Sequence, residues 1–431
     1  MASRARVLMT VVALAATALI AVSCGGDDDD DGGSGGKAKL TFWHGQTEMW
    51  ADCLATQIAE FNRTHKNIEV SSDTGGVVAD RMLQKVTAGL QAGNYPDVAY
   101  VFGSDLANFA KSDKLVDLTD SDKIDIDAFY PAGRDAATVD GRVRAVPALI
   151  DNLAIVYNRK LFKEAGVDFP NDDWTWDDFR ATAKQLTDDA RGIVGTGWPG
   201  TGDEDTTWRI WPLVWQLGGD ILSEDGDTVG FDGASGEGAL SYVRDLSADG
   251  SVYIDTSAGS ERMNQLFQSN KMAMIATGPW NLPDFVDAKV DYGVALLPAF
   301  QGEHTTIAGP DVWAIFDNGE NRAKAAEEFV GWLTSAEQNL TCATQAGSLP
   351  TREDVTKLDG YQDYVNSLPG LTKFVDNLQN AQVRPTIAEY PQISQAMGKA
   401  IGLMLFQKGE PADALQDAVD KSNAALRVPG P

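Results

Sequence analysis

Three apolar runs of strand length, in "KLTFWHG", "IEVSS" and "PDVAYVF", alternate with two stretches whose apolar residues recur at helical spacing. Leu54, Ile58 and Phe61 fall on one helical face after the first run, and Met82, Val86 and Leu90 repeat every four residues across 78–90 before the third. This β-α-β-α-β order predicts a mainly parallel sheet covered by helices. From Lys37 about 395 residues remain, too many for one comfortable core, and 43% of the chain is hydrophobic, so two domains are expected.

The fold is preceded by a different kind of sequence. Arg4 and Arg6 lead into an apolar stretch, 7–22, which ends at Ser23-Cys24 and is followed by "GGDDDDDGGSGG". The apolar part is short for a spanning helix and has the layout of an export signal. Ala21-Val22-Ser23-Cys24 resembles a lipobox, in which Cys24 would be acylated and become the first mature residue. An ordinary signal peptide would leave the protein freely secreted. Residues 25–36 repel one another and cannot form a core, so they read as a tether reaching roughly 20 Å by the flexible-chain estimate.

The formal charge of -28 becomes -30 once Arg4 and Arg6 leave with the signal. Such a surface repels nucleic acid and anionic headgroups and disfavours polyanionic ligands, leaving neutral or cationic small molecules. Cys53 and Cys342, far apart in the chain, are either paired outside the cytoplasm or two buried thiols.

Beyond "RVRAVPALIDNLAIVYNRKLFKEAG", Thr175 and Asp178 have capping-box spacing, with Phe179, Ala183 and Leu186 on one helical face. Further helices are expected around 236–246 and after Thr334, which stands in the same spacing to Glu337. Strands are expected at Met272, at Tyr292 and in "GPDVWAIF". His44, His65 and His304 are scattered outside any HExxH or His/Cys cluster, so neither a metal nor a cofactor is expected. There is no Walker A sequence, no GxSxG elbow and no dinucleotide fingerprint opening an early helix, and "GSGG" lies in the tether. A pair among the 63 acidic residues could still serve a glycoside hydrolase, which keeps that class as an alternative.

Tryptophan is more informative. Six of eleven lie between Trp174 and Trp215, where an even distribution would put about one. Trp208, Trp211 and Trp215 recur at helical spacing. Trp215 is expected in the core, and Trp208 and Trp211, nearest the loop "GWPGTGDEDTT", in a cleft. Trp43, beside His44, and Trp280 and Trp313 sit in or just beyond predicted strands; "KMAMIATGPW" ends an apolar run at Gly-Pro and displays Trp280 at its tip. Indoles near Asp105, Asp151, Asn152 and Asp311 suit a sugar, whose C–H faces stack while its hydroxyls seek polar partners. Packing for the indoles and turn formation for Asp and Asn are the competing roles.

"LTFWHG", "PDVAYVFGSDLANFAKSDKLVDLTD", "RAVPALIDNLAIVYNRKLFKEAG", "KMAMIATGPWNLPDF" and "GSLPTRED" together resemble the maltose-type extracellular solute-binding lipoproteins of ABC sugar importers, from Leu40 to about Leu405. The resemblance implies an α/β, two-lobed periplasmic-binding-protein fold with hinge-connected lobes and the ligand in the interlobe cleft. It places one lobe in 37–150 and 305–346, the other in 151–304 and 347–431, with crossings near 149–154, 305–308 and Gly347. It carries ligand positions over to Asp105, Asp151, Trp208, Trp211 and Trp280. "YPQISQAM" offers Met397 where maltose-type binders have a stacking aromatic, which implies a di- or oligosaccharide other than maltose. The partners implied are a neutral sugar and a membrane permease. The protein would be a monomeric, non-enzymatic receptor held by its lipid on the outer face of the membrane. A polyol or glycerophosphodiester is the alternative cargo.

Overall fold

The computed structural model describes residues 37–73, 79–300 and 302–427; Cys24, the signal and the tether lie outside them. Among the described residues no helix is long and apolar enough to cross a membrane. Two sheets organise the chain. The first contains Ala38–Trp43, Ile68–Asp73, Val98–Phe102, Val146–Asn152, Thr306–Ile315 and Ala381–Val383. Ala38–Trp43 pairs in parallel with both Ile68–Asp73 and Val98–Phe102, as the β-α-β-α-β pattern requires.

Thr306–Ile315 then runs antiparallel to Val98–Phe102 on one edge and to Val146–Asn152 on the other. The sheet is therefore mixed where a mainly parallel one was expected. The reason is that the chain leaves this sheet and later re-enters it from the opposite end. Alternate residues feed opposite cores: Val98, Tyr100, Trp313 and Ile315 pack beneath Leu54, Ile58, Phe61 and Phe329, whereas Ala99, Val101, Val312 and Ala314 pack with Met82, Val86 and Phe109. Burial on both faces accounts for the unbroken apolar runs in the sequence.

Val146–Asn152 passes through Leu153 directly into Ala154–Asn158, the middle strand of the second sheet, flanked antiparallel by Met274–Thr277 and Tyr292–Ala295. Thr196–Pro199 lies against Val252–Asp255 in parallel, and Val194 bridges to Met272, which extends this layer. Ile155 and Tyr157 face a core shared with the helices Trp176–Leu186, Ala234–Ala248, Tyr390–Leu405 and Pro411–Leu426, while Ala154 and Val156 face the core of Phe267, Phe285, Tyr364 and Phe374.

At the junction of the sheets, Asp151 lies opposite Gly309 and Asn152 opposite Ala308, and Ala381–Val383 runs parallel to Thr306–Ala308. Asp151 Oδ1 accepts from the Leu349 amide at 2.9 Å. Asn152 donates to the Phe374 carbonyl at 2.8 Å and accepts from Asn377 at 3.0 Å. Gly347 has φ +78°, and a Cβ there would lie 2.6 Å from Pro283, so only glycine suits this passage.

The helices Glu48–Thr64 and Ala336–Ala346 are joined by a Cys53–Cys342 disulfide, which decides between the two alternatives left by the sequence. Thr175 and Asp178 form the expected capping box. Thr334 does not cap the next helix. Its hydroxyl donates back to Val330, and Ser335 one residue later accepts from Gln338 instead.

Candidate functional site

Between the two sheets lies a cavity of about 290 Å³, walled on one side by Trp50, Tyr100, Phe102, Asp151 and Asp311 and on the other by Glu204, Trp208, Glu261, Asn264 and Trp280, with Arg384 entering beside them. Its volume is near the lower end of small-ligand sites. A larger hollow of about 810 Å³ meets Arg384 from another direction, lined by Asp135 and the 218–224 turn. That one has no aromatic wall, so the chemistry points to the smaller cavity.

Trp280 reaches the cavity because of the local sequence. Met274–Thr277 ends at Gly278, and Pro279–Asn281 forms a single 3-10 turn. Asn281 ties that turn down by donating to Thr277 Oγ1 at 2.7 Å and to Asn264 Oδ1 at 2.9 Å. The indole folds back across Gly278 so closely that a Cβ there would stand 1.8 Å from the ring. Trp208, at the end of the helix Glu204–Trp208, faces it with ring centroids 5.9 Å apart and 38° between planes.

A charged network closes one end. Glu204 Oε1 accepts from Arg384 at 2.8 Å and from the Tyr390 hydroxyl at 2.7 Å, while Oε2 accepts from Ser394. Arg384 is almost fully buried, stands 3.8 Å from Asp311 and lies over the Phe102 ring. Burial opposes its charge, yet Glu204, Tyr390 and Asp311 outweigh that and push its pKa upward. Asp311 Oδ2 accepts from Tyr100 at 2.5 Å. Burial raises the Asp311 carboxyl to about 7 against the pull of Arg384 and Tyr100, and raises Asp151 well above the usual range, aided by Asp311 nearby.

Five buried polar atoms on this wall have no hydrogen-bond partner: Trp50 Nε1, Trp208 Nε1, Arg384 Nε, Asp151 Oδ2 and Asp311 Oδ1. Buried polar groups are seldom left unpaired, and here donors and acceptors converge on one space. Such a set can bond a group that both donates and accepts, as a hydroxyl does. Among the described residues, no group of three or more His, Cys, Asp or Glu is arranged to hold a metal ion.

Of the residues singled out from the sequence, Asp151, Trp208, Trp280 and Asp311 meet at the cavity. Asp105 lines an adjoining hollow of about 360 Å³ that shares Phe102 and Glu204, and burial, then Glu204, raise its carboxyl to about 7 although Arg384 opposes them. The other five lie off the wall. Trp211 is fully buried and donates to Tyr390; the helix ends at Trp208 and a separate one, Trp211–Gln216, begins there. Trp313 is wedged edge-on between Phe42 and Tyr100 in the core. Trp43 packs under the Lys85 ammonium, 4.3 Å from its ring centre. Asn152 is consumed by its bonds to Phe374 and Asn377.

His44 is buried, a burial that lowers its pKa, and it accepts from the Gln46 amide; it shapes the turn that presents Gln46 to the cavity. The sequence reading missed Glu204, Arg384, Tyr100 and Trp50. One signal was available: Arg384 is the only charged residue between Asp376 and Glu389.

The family profile described as bacterial extracellular solute-binding protein matches residues 54–340. A maltooligosaccharide ABC transporter solute-binding lipoprotein of Streptococcus pneumoniae (strain ATCC BAA-255 / R6) is 24% identical over 378 residues, covering 86% of this chain and 85% of its own. An sn-glycerol-3-phosphate-binding periplasmic protein of Brucella melitensis (biotype 1, strain 16M) is 24% identical over 308 residues, 67% of this chain and 68% of its own. Among solved structures, the GacH receptor of Streptomyces glaucescens, known unliganded and with acarbose, superposes with a TM-score of 0.81 at 24% identity, covering 91% of this chain and 100% of that one. That likeness establishes the two-lobed periplasmic-binding fold.

Proposed function

The chain belongs to the bacterial extracellular solute-binding protein family, and from that premise we propose that it captures a di- or oligosaccharide in the cavity between its lobes and hands it to a membrane permease. Its kinship is with the binding proteins of ABC sugar importers. The observation that carries the saccharide reading is the convergence of unpaired donors and acceptors beside the Trp208–Trp280 pair. Indoles take up the C–H faces of a pyranose, and the orphaned carboxylate and N–H groups take up its hydroxyls. Because the walls come from both lobes, a bound sugar would gain contacts only when they approach, and hinge closure follows from that differential affinity.

Cys24 would hold the mature protein to the outer face of the membrane through its lipid. Cys24→Ala is expected to move the protein from the membrane fraction to the medium, and its retention with the membrane would remove the anchor. The saccharide reading is tested by thermal shift across mono-, di- and trisaccharides, polyols and glycerophosphodiesters. A rise confined to sugars supports it, and a rise confined to the phosphodiesters would replace it. The Brucella melitensis relative, named for sn-glycerol-3-phosphate, favours adding that phosphomonoester to the panel.

A further inference from the structure

Building on the saccharide reading of this cleft, we propose that the preferred ligand is an amino sugar, a saccharide whose protonated amine sits between Asp151 and Asp311. Each of these side chains is more than nine-tenths buried, and Asp151 Oδ2 and Asp311 Oδ1 have no hydrogen-bond donor, although Asp311 Oδ1 has the Arg384 guanidinium 3.8 Å away. In the paired strands Asp151 stands opposite Gly309 and Asp311 opposite Leu149, which makes the two acids diagonal neighbours on one face, and the charge of Asp311 adds to burial in raising the Asp151 carboxyl. A neutral sugar could satisfy their hydrogen bonds but brings no positive charge to favour the ionised form of either acid. A primary ammonium supplies up to three N–H donors and the missing positive charge together.

The neighbouring charges narrow the choice. Arg384 is the one basic residue on the wall among the described residues, and it is already bonded to Glu204, with Asp311 3.8 Å away. Six acids, Asp151, Glu204, Asp205, Glu261, Asp284 and Asp311, therefore line the cavity with a single guanidinium. An anionic phosphate would find no uncommitted cation there and would be repelled by Asp151 and Asp311. A quaternary ammonium would suit the charge and the indoles, but it has no N–H to give the two orphaned oxygens. An amine on a sugar ring meets all the demands at once, with the ring against Trp208 and Trp280 and its hydroxyls on the free indole N–H groups of Trp50 and Trp208.

Matched ligands test this on the full mature chain. Calorimetric titrations at pH 7.5 compare hexoses and their disaccharides with counterparts in which one hydroxyl is replaced by an amine or by an acetamide. The amine is expected to bind about tenfold or more tightly than its hydroxyl and acetamide partners, as a charge-assisted bond to a buried acid implies. Asp151→Asn keeps the acceptor for Leu349 but removes the charge, and is expected to reduce the preference to within about twofold. Asp311→Asn provides the same comparison if Asp151→Asn does not fold. Equal or tighter binding of the hydroxyl form, in a protein that binds sugars, overturns the inference and leaves the saccharide reading standing. Failure of every sugar, aminated or not, overturns both.

Discussion

Gly278→Ala separates the site from the fold more cleanly than removal of any side chain. The backbone at Gly278 has φ -100° and ψ -178°, which alanine adopts without strain, so the substitution acts through its methyl group alone. That methyl would lie 1.8, 2.2 and 2.4 Å from three atoms of the Trp280 ring, and contacts below 3.0 Å are not sustained. The ring must retreat by more than 1 Å. It borders a cavity and is only partly buried, so it can swing away, and the stability cost should stay near the lower end of the ~1–3 kcal/mol typical of overpacking.

A displaced indole loses both its stacking, about 0.5–1.5 kcal/mol, and the apolar area it covers on the ligand, so affinity is expected to fall about tenfold or more. Calorimetric titration with the best-stabilising sugar reads the affinity, and thermal melting reads the fold. Trp280→Ala should weaken binding to a similar degree, and adding Gly278→Ala to it should change little, because the clash has gone. Unchanged affinity in Gly278→Ala, or additive losses in the double variant, would refute the assignment of Trp280 to the ligand surface.

Three other perturbations probe the scaffold. Replacing Cys53 and Cys342 by alanine removes a link between the helices Glu48–Thr64 and Ala336–Ala346 and is expected to cost about 2–4 kcal/mol in chemical denaturation, with sugar affinity changed less than twofold. Arg384→Met leaves the buried Glu204 without its cation and is expected to cost about 3–5 kcal/mol, most of it recovered when Glu204→Gln is added; no recovery in the double variant would refute the pairing. Asp105 and Asp311 are raised from 3.8 to about 7, so between pH 4 and 7 the folded protein holds protons that the unfolded chain has released. Their contribution to stability is therefore greatest below pH 4, declines as pH rises to 7 and levels off above it. Melting of the ligand-free protein should show this slope, and Asp105→Asn with Asp311→Asn should flatten it; an unchanged slope would exclude these carboxyls as its source.

Much of the architecture was legible from local pattern. Leu54, Ile58 and Phe61 mark a helix face that the structure buries, and "VAYVF" is continuous in apolar residues because Val98–Phe102 has a core on each side. The sheet's mixed direction was not legible, because it depends on Thr306–Ile315 returning from the other lobe, and strand periodicity carries no information about direction. The strand Ala381–Val383 escaped for a related reason. It is three residues long, has the sequence Ala-Gln-Val and owes its existence to the edge offered by Thr306–Ala308. Helix caps depend on a single hydroxyl, so the reading of Thr334 missed by one residue, and Ser335 is the one that accepts from Gln338.

The site was legible where one segment both carries a side chain and aims it. Trp280 is such a case, since strand, glycine and proline lie side by side in "ATGPW" and the turn they make presents the ring. Trp211 shows the limit. Its spacing from Trp208 and Trp215 is that of one helical stripe, but the helix ends at Trp208, and Trp211–Gln216 turns its first indole into the core toward Tyr390. Glu204 and Arg384 lie beyond that limit, because neither is unusual until 180 residues of chain fold back to put them 2.8 Å apart. A buried ion pair of this kind declares itself only through desolvation: an arginine must either remain in water or find an acid, and Arg384, with Pro385 after it and no other charge nearby in sequence, finds Glu204.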